Sequence, residues 1–260
     1  MKPNLVRQRL HEGRVAVGHM VMEFTTRGIA KILEAADADF ALIDMEHAAN
    51  DLPRIADLAA WFKATPVAPL VRVPAADYHF IARCLDAGVL GVMVPNVETA
   101  EQACAIVNAV KYAPGGHRGL GLGSAHNDYV PPKPAEYLHE ANANTSVICQ
   151  IESTRGLENL EAIAATPGVD ILWVGHFDLT QSMGIVAQFD DPRFLDALAR
   201  VAQVAKRYGK AAGVQPHNAA QAEQWMRLGY NVISWSSDFA VYRNALAEHI
   251  ATVRRLEAAK

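Results

Sequence analysis

Short apolar runs recur along the chain, each ending abruptly in polar residues or glycine. Two of them, residues 147–151 and 171–174, show the arrangement most plainly. Gln150 and Glu152 close the first, and Gly175, His176 and Asp178 close the second. Runs of this length bounded by turn signals read as strands buried on both faces. Between them Leu157, Leu160, Ile163 and Ala164 recur at helical spacing, with Gly168 at the far end. The unit is β-α-β, and it delivers a carboxylate to the C-terminal end of each strand. In parallel α/β sheets that end is where ligands bind.

The same alternation continues throughout. Strands are predicted over residues 15–21, 40–46, 68–73, 91–95, 147–152, 171–175, 211–215 and 232–236. Amphipathic helical patterns fill most of the gaps, over 29–36, 52–62, 80–87, 100–110, 157–165, 194–208, 219–228 and 241–256. Eight alternations in 260 residues predict a (β/α)8 TIM barrel, one α/β domain over residues 1–260 with its active site at the C-terminal rim. The regularity is one of pattern only, with no residue-level repeat. One connection breaks it: residues 111–145 hold four prolines and five glycines, which suggests a functional loop or lid. Its Gly-Leu-Gly-Leu-Gly run is a poor dinucleotide fingerprint, because no strand feeds into it and no clean helix leaves it.

Composition narrows the class. The chain is 51% hydrophobic and 20% charged with a formal net charge of -4. No basic run or aromatic-basic stripe points to nucleic acid. No stretch is apolar enough to span a membrane, and the charged N-terminus lacks the apolar core of a signal peptide. Cys84, Cys104 and Cys149 form no Cys-x-x-Cys pair and read as reduced thiols. A cytoplasmic location is expected.

Candidate chemistry clusters at the predicted strand ends. The second strand ends in Asp44-Met45-Glu46-His47, three ionisable groups within four residues. Charges there are solvated by a pocket, paired, or bound to a metal; the plainer alternative is that Asp44 and Glu46 cap the next helix. An imidazole beside carboxylates suits proton transfer near neutral pH. The third strand delivers Arg72, either a salt-bridge partner or a clamp for a substrate carboxylate or developing oxyanion. Gln150 and Glu152 at i, i+2 share a face. Two carboxylates on adjacent strands, Glu152 and Asp178, leave most of a six-coordinate shell to substrate oxygens and water, as Mg²⁺ or Mn²⁺ prefers. The competing reading pairs them with Arg72 or another arginine. Asp86 reads as a helix end, and His19, His126, His176 and His217 fall near predicted rim positions without an assigned role. Lys2, Lys31, Lys63, Lys111, Lys133, Lys206, Lys210 and Lys260 all fall in helices, loops or tails, so no Schiff-base amine is expected at a strand end.

Taken in order, DMEHAAND, LVRVP, LDAGVLGVMVP, APGGHRGLG, CQIES and VGHFDLTQSMG resemble the motifs of the HpcH/HpaI class II pyruvate aldolases over nearly the whole chain. The resemblance implies a metal-dependent carbon-carbon lyase that joins pyruvate or hydroxypyruvate to an aldehyde, with Mg²⁺, Mn²⁺ or Co²⁺ held by Glu152 and Asp178. It further implies His47 as the general base and Arg72 as the stabiliser of the transition state. Gln150, with the backbone around Phe177 and Asp178, would hold the 2-oxo acid. Asp86 matches an aspartate that raises the basicity of the histidine from a neighbouring subunit. A homohexamer built from trimers that exchange the last helix is implied too, with the Val241, Leu246, Ile250, Val253, Leu256 stripe serving that exchange or packing on its own barrel. The chain departs from the family in His176-Phe177 within the sixth motif, in Met20 beside His19, and in Gln215-Pro216-His217 after the seventh strand; all three bear on the aldehyde pocket. Two other readings stay open. One is a citrate-lyase-β-like lyase of a CoA-linked hydroxy acid, for which Arg118 is the phosphate-binding candidate. The other is a non-catalytic barrel used as a binding module.

Overall fold

The inner face of the sheet sets the architecture. The computed structural model describes residues 1–259, and Lys260 lies outside the described residues. Eight parallel strands close on themselves in sequence order: β1 Ala16–Val21, β2 Phe40–Asp44, β3 Ala68–Arg72, β4 Gly91–Val94, β5 Ser146–Ile151, β6 Ile171–Val174, β7 Ala211–Val214 and β8 Val232–Ser237. Successive side chains alternate across each strand. Phe40 and Leu42, Ala68 and Leu70, Ile148, and Ile171 and Trp173 fill the barrel interior. Ala41, Ile43, Val71, Val147, Cys149, Leu172 and Val174 face the surrounding helices instead. Trp173 is the largest side chain inside. It fits because β7 offers Gly213, where a Cβ would lie 2.8 Å from the indole Cζ3.

Helices lie between the strands. They are α1 Leu5–His11 before β1, α2 Ile29–Ala35, α3 Leu52–Phe62, α4 Tyr78–Ala87, α5 Ala100–Val110, α6 Pro134–Asn144, α7 Thr154–Glu158 and α8 Leu160–Ala165. After β6 come α9 His176–Ser182 and α10 Pro192–Arg207, and then α11 Ala219–Leu228 and α12 Asp238–Ala258. The closed barrel and its strand positions agree with the sequence pattern to within two residues. Three helices are additional, α1, α6 and α9, and the single helix expected over 157–165 is two short ones, α7 and α8, meeting at Asn159. α1 closes the N-terminal end, where the buried Asn4 caps it through Val6 N and donates to Leu90 O at 3.0 Å.

The connection over 111–145 follows α5 and precedes β5, so it leaves and re-enters at the N-terminal end of the barrel. It is no lid on its own site, since none of its residues lines the pocket at the opposite end. Within it Lys111 is buried and donates to Asn142 O at 2.8 Å and Thr145 O at 2.6 Å, a structural use of the amine. α12 differs from the other helices. Asp238 is its sole buried residue, and Val241, Leu246, Ile250, Val253 and Leu256 are exposed. The stripe does not pack on its own barrel. Among the described residues, no helix is long and apolar enough to cross a membrane.

Candidate active site

Parity along the strands explains which side chains reach the C-terminal rim. The interior series Phe40, Leu42 continues to Asp44, Ala68, Leu70 to Arg72, and Ile148 to Gln150 and Glu152. The barrel axis is thus apolar below and ionised above. Asp44 and Arg72 are direct neighbours in the β2–β3 register. Arg72 Nε and Nη2 donate to Asp44 Oδ1 and Oδ2 at 2.7 and 2.8 Å, the two-pronged geometry that a guanidinium favours. Its Nη1 lies 3.2 Å from Glu46 Oε2. Asp44 also accepts the backbone N–H of Glu46 at 3.0 Å and of His47 at 3.2 Å, which fixes the turn carrying His47. It therefore anchors Arg72 and that turn. Capping of α3 falls to Asp51, which accepts from Arg54 N. The His47 ring projects outward, 58% exposed, with Nε2 3.8 Å from Glu46 Oε2.

Glu152 lies one residue past β5 and is 3% exposed. Its Oε1 accepts from Asn96 N at 2.6 Å, and Gln150 Nε2 donates to its Oε2. Burial pushes its carboxyl up to about 7; those two hydrogen bonds oppose the rise, and the nearby charges of Glu46 and Asp178 add to it. Gly175 makes this placement possible. A Cβ there would lie 2.8 Å from the Glu152 Cβ and would overlap Oε2. Asp178 follows in the first turn of α9, at the same rim. Neither Glu152 nor Asp178 forms an ion pair with an arginine or lysine among the described residues, so the pairing alternative does not hold.

These residues suit a hard divalent cation. Burial holds Glu152 near its protonated form, a situation that a bound dication would reverse. Gln150 Oε1 is buried and unpartnered. Two carboxylates with open positions match the habit of an oxygen-ligated ion that keeps water and substrate in its shell.

His47, Arg72, Gln150, Phe177 and Asp178 line one pocket of about 400 Å³ at this rim, and Glu152 sits just behind Gln150 and Gly175. Among the described residues no lysine lines it. The β7–β8 side is furnished differently. His176 Nε2 and His217 Nε2 lie 2.7 Å apart, with the His176 ring packed 4.8 Å from Phe177, 5.2 Å from Phe189 and 6.0 Å from Trp225. Burial pushes His176 down to about 3 and also lowers His217, so the pair is uncharged at neutral pH. Gln215 Nε2 donates to Ser236 O at 3.0 Å. Phe239, Ala240 and Arg243 of α12 complete this side, and the sequence patterns gave no sign of them.

Other expected residues lie elsewhere. Asp86 sits at the C-terminal end of α4, hence at the end of the barrel remote from His47, and pairs with Arg118 at 2.5 Å. Arg118 is buried, and its guanidinium lies 4.6 Å from the Tyr112 ring centroid. It is therefore committed, and gives no footing to a CoA-binding groove. His126 belongs to the same cluster, within hydrogen-bond distance of Asp86 O at 3.1 Å, and not to the pocket rim. His19 Nδ1 lies 2.6 Å from Trp235 O on β8. Burial pushes the Cys84 and Cys149 thiols up to about 12, so neither is a nucleophile.

Residues 22–245 match the family model described as HpcH/HpaI aldolase/citrate lyase. The chain is 36% identical over 217 residues to a 5-keto-4-deoxy-D-glucarate aldolase of Klebsiella pneumoniae, covering 83% of each protein. It is 36% identical over 229 residues to a hydroxypyruvate/pyruvate aldolase of Chromohalobacter salexigens, covering 88% of this chain and 89% of that one. The crystal structure of an HpcH/HpaI aldolase from Desulfitobacterium hafniense superposes with a TM-score of 0.92 at 32% identity, covering 96% of both chains.

Proposed function

The chain belongs to the HpcH/HpaI aldolase/citrate lyase family, and from that premise we propose that it is a class II aldolase: it adds the enolate of pyruvate or hydroxypyruvate to an aldehyde and reverses that addition. The observation that carries this reading is the lysine-free pocket in which His47, Arg72, Gln150 and Asp178 meet. Glu152 and Asp178 would hold a divalent cation such as Mg²⁺, Mn²⁺ or Co²⁺. When bound, that ion supplies Lewis-acid polarisation of the 2-oxo acid.

The chain's own groups do the rest. Gln150 and the backbone about Phe177 and Asp178 hold the donor's carboxylate and orient C3. His47 Nε2 takes a proton from C3, a contribution of about 10²–10⁴-fold for a positioned base. Arg72, immobilised on Asp44, faces the oxyanion as charge develops and loses little order in doing so. The C3 carbon then bonds to the aldehyde carbon, and the new alkoxide takes the proton from His47. In cleavage His47 removes the C4 hydroxyl proton, the C3–C4 bond breaks, and C3 is reprotonated. The active species in this reading is a homo-oligomer, a hexamer of two trimers, in which Asp86 of a second copy supports His47.

The test is proton exchange. His47→Ala should abolish exchange of pyruvate C3 protons in deuterated water while the fold, followed by circular dichroism, persists. Retained exchange would remove His47 from the role. Treatment with EDTA should suppress exchange and added Mg²⁺, Mn²⁺ or Co²⁺ should restore it; full activity after chelation would remove the cation from the reading.

A further inference from the structure

The pocket is divided by charge. On the β2–β6 side Arg72 is a cation already neutralised by Asp44 and Glu46. The one carboxylate among the lining residues, Asp178, belongs to that side as well. The β7–β8–α12 side has no lining carboxylate, and its single charge is Arg243. Arg243 is exposed at the pocket mouth and, among the described residues, makes no ion pair. Its Nε and Nη2 donate to the neutral Asn244 Oδ1 at 3.2 and 3.1 Å.

Arg243 stands on a fixed support. Asp238, at the start of α12, turns its carboxylate away from the pocket and accepts the N–H groups of Met22, Glu23 and Phe24 at 3.0, 2.9 and 2.7 Å. One turn on, Tyr242 packs edge-on against Phe24, ring centroids 5.4 Å apart. These ties bind the first two turns of the helix to the loop after β1. They leave Phe239, Ala240 and Arg243, at i, i+1 and i+4, on the face that lines the pocket. A cation with no carboxylate partner thus lines the side of the pocket opposite the proposed enolising groups.

We propose that Arg243 is a specificity-determining residue that reads a carboxylate at the end of the aldehyde remote from its carbonyl. The proposal rests on the aldolase reading of the site. With the Nε–Nη2 edge turned to Asn244, the Nη1–Nη2 edge still offers paired N–H donors that match a carboxylate, and a monoanionic acceptor gives the guanidinium the counter-charge that the protein withholds. His217 and Gln215 stand on the same side as polar neighbours for hydroxyls along the acceptor.

The test compares 4-oxobutanoate with methyl 4-oxobutanoate, acceptors of matched chain length with and without the charge, in aldol addition to pyruvate with Mg²⁺ present. In wild-type protein kcat/KM should favour the anion. Arg243→Gln should reduce that preference about tenfold, mainly through KM of the anion, the scale of one charge-assisted contact. Arg243→Lys should restore part of it. Equal losses on both acceptors, or a preference that does not move, overturn the role of Arg243. Wild-type protein that exchanges no pyruvate C3 proton overturns the aldolase reading and this proposal together, so the two failures are told apart.

Discussion

Glu152 is the residue at which stability and chemistry pull apart most strongly. Burial pushes its carboxyl up to about 7 in the fold, from an ordinary value of 4.5. Between those values the folded protein holds a proton that the unfolded chain releases, so stability falls as pH rises through the interval. The cost above pH 7 is on the order of 3 kcal/mol. Glu152→Gln is therefore expected to stabilise the metal-free protein at pH 8, with the gain vanishing toward pH 4, as urea unfolding across pH would measure. The same substitution should abolish Mn²⁺ binding in a calorimetric titration. Much of this site was legible in the residues themselves. The i, i+2 spacing of Gln150 and Glu152 and the charged end of β2 follow from strand parity. Arg243 was not legible, because its orientation depends on Asp238 meeting amides more than 200 residues earlier in the chain.

Among the elements, the β6–α9 corner imposes the tightest steric condition. Gly175 must lack a side chain because the Glu152 carboxylate occupies the volume a Cβ would need. Gly175→Ala is expected to cost about 1–3 kcal/mol in thermal or urea unfolding, as overpacking does, and to weaken metal binding by displacing Glu152. An unchanged metal affinity would show that the corner yields without moving the carboxylate. The strands and the long amphipathic helices were readable because burial on one or both faces leaves a periodic trace. α9 was not, for it is seven residues long and opens on His176-Phe177-Asp178, which reads as a loop. α6 was hidden by a segment rich in proline and glycine. The long connection containing it looked like a lid, yet the β-α order puts it at the far end of the barrel.

On the scale of the whole molecule, the outer stripe of α12 is the feature that one copy leaves unsatisfied. Leu246, Ile250, Val253 and Leu256 are 43%, 51%, 64% and 64% exposed, a row of apolar side chains that a monomer gains nothing by displaying. That exposed row is what supports the proposed assembly by helix exchange. Leu246→Asp with Ile250→Asp should shift sedimentation to smaller species. If Asp86 reaches His47 from a second copy, exchange of pyruvate protons should fall with assembly. A variant that sediments as wild type would place the oligomer contact elsewhere.

The two-sided pocket has an evolutionary and practical corollary. In the proposed reading, bond making falls to β2 through β6, and recognition of the incoming aldehyde to β7, β8 and the start of α12. Substitutions at Gln215, His217 and Arg243 can then be sampled as a library with the enolising groups left alone, and new acceptors could be recruited one wall at a time.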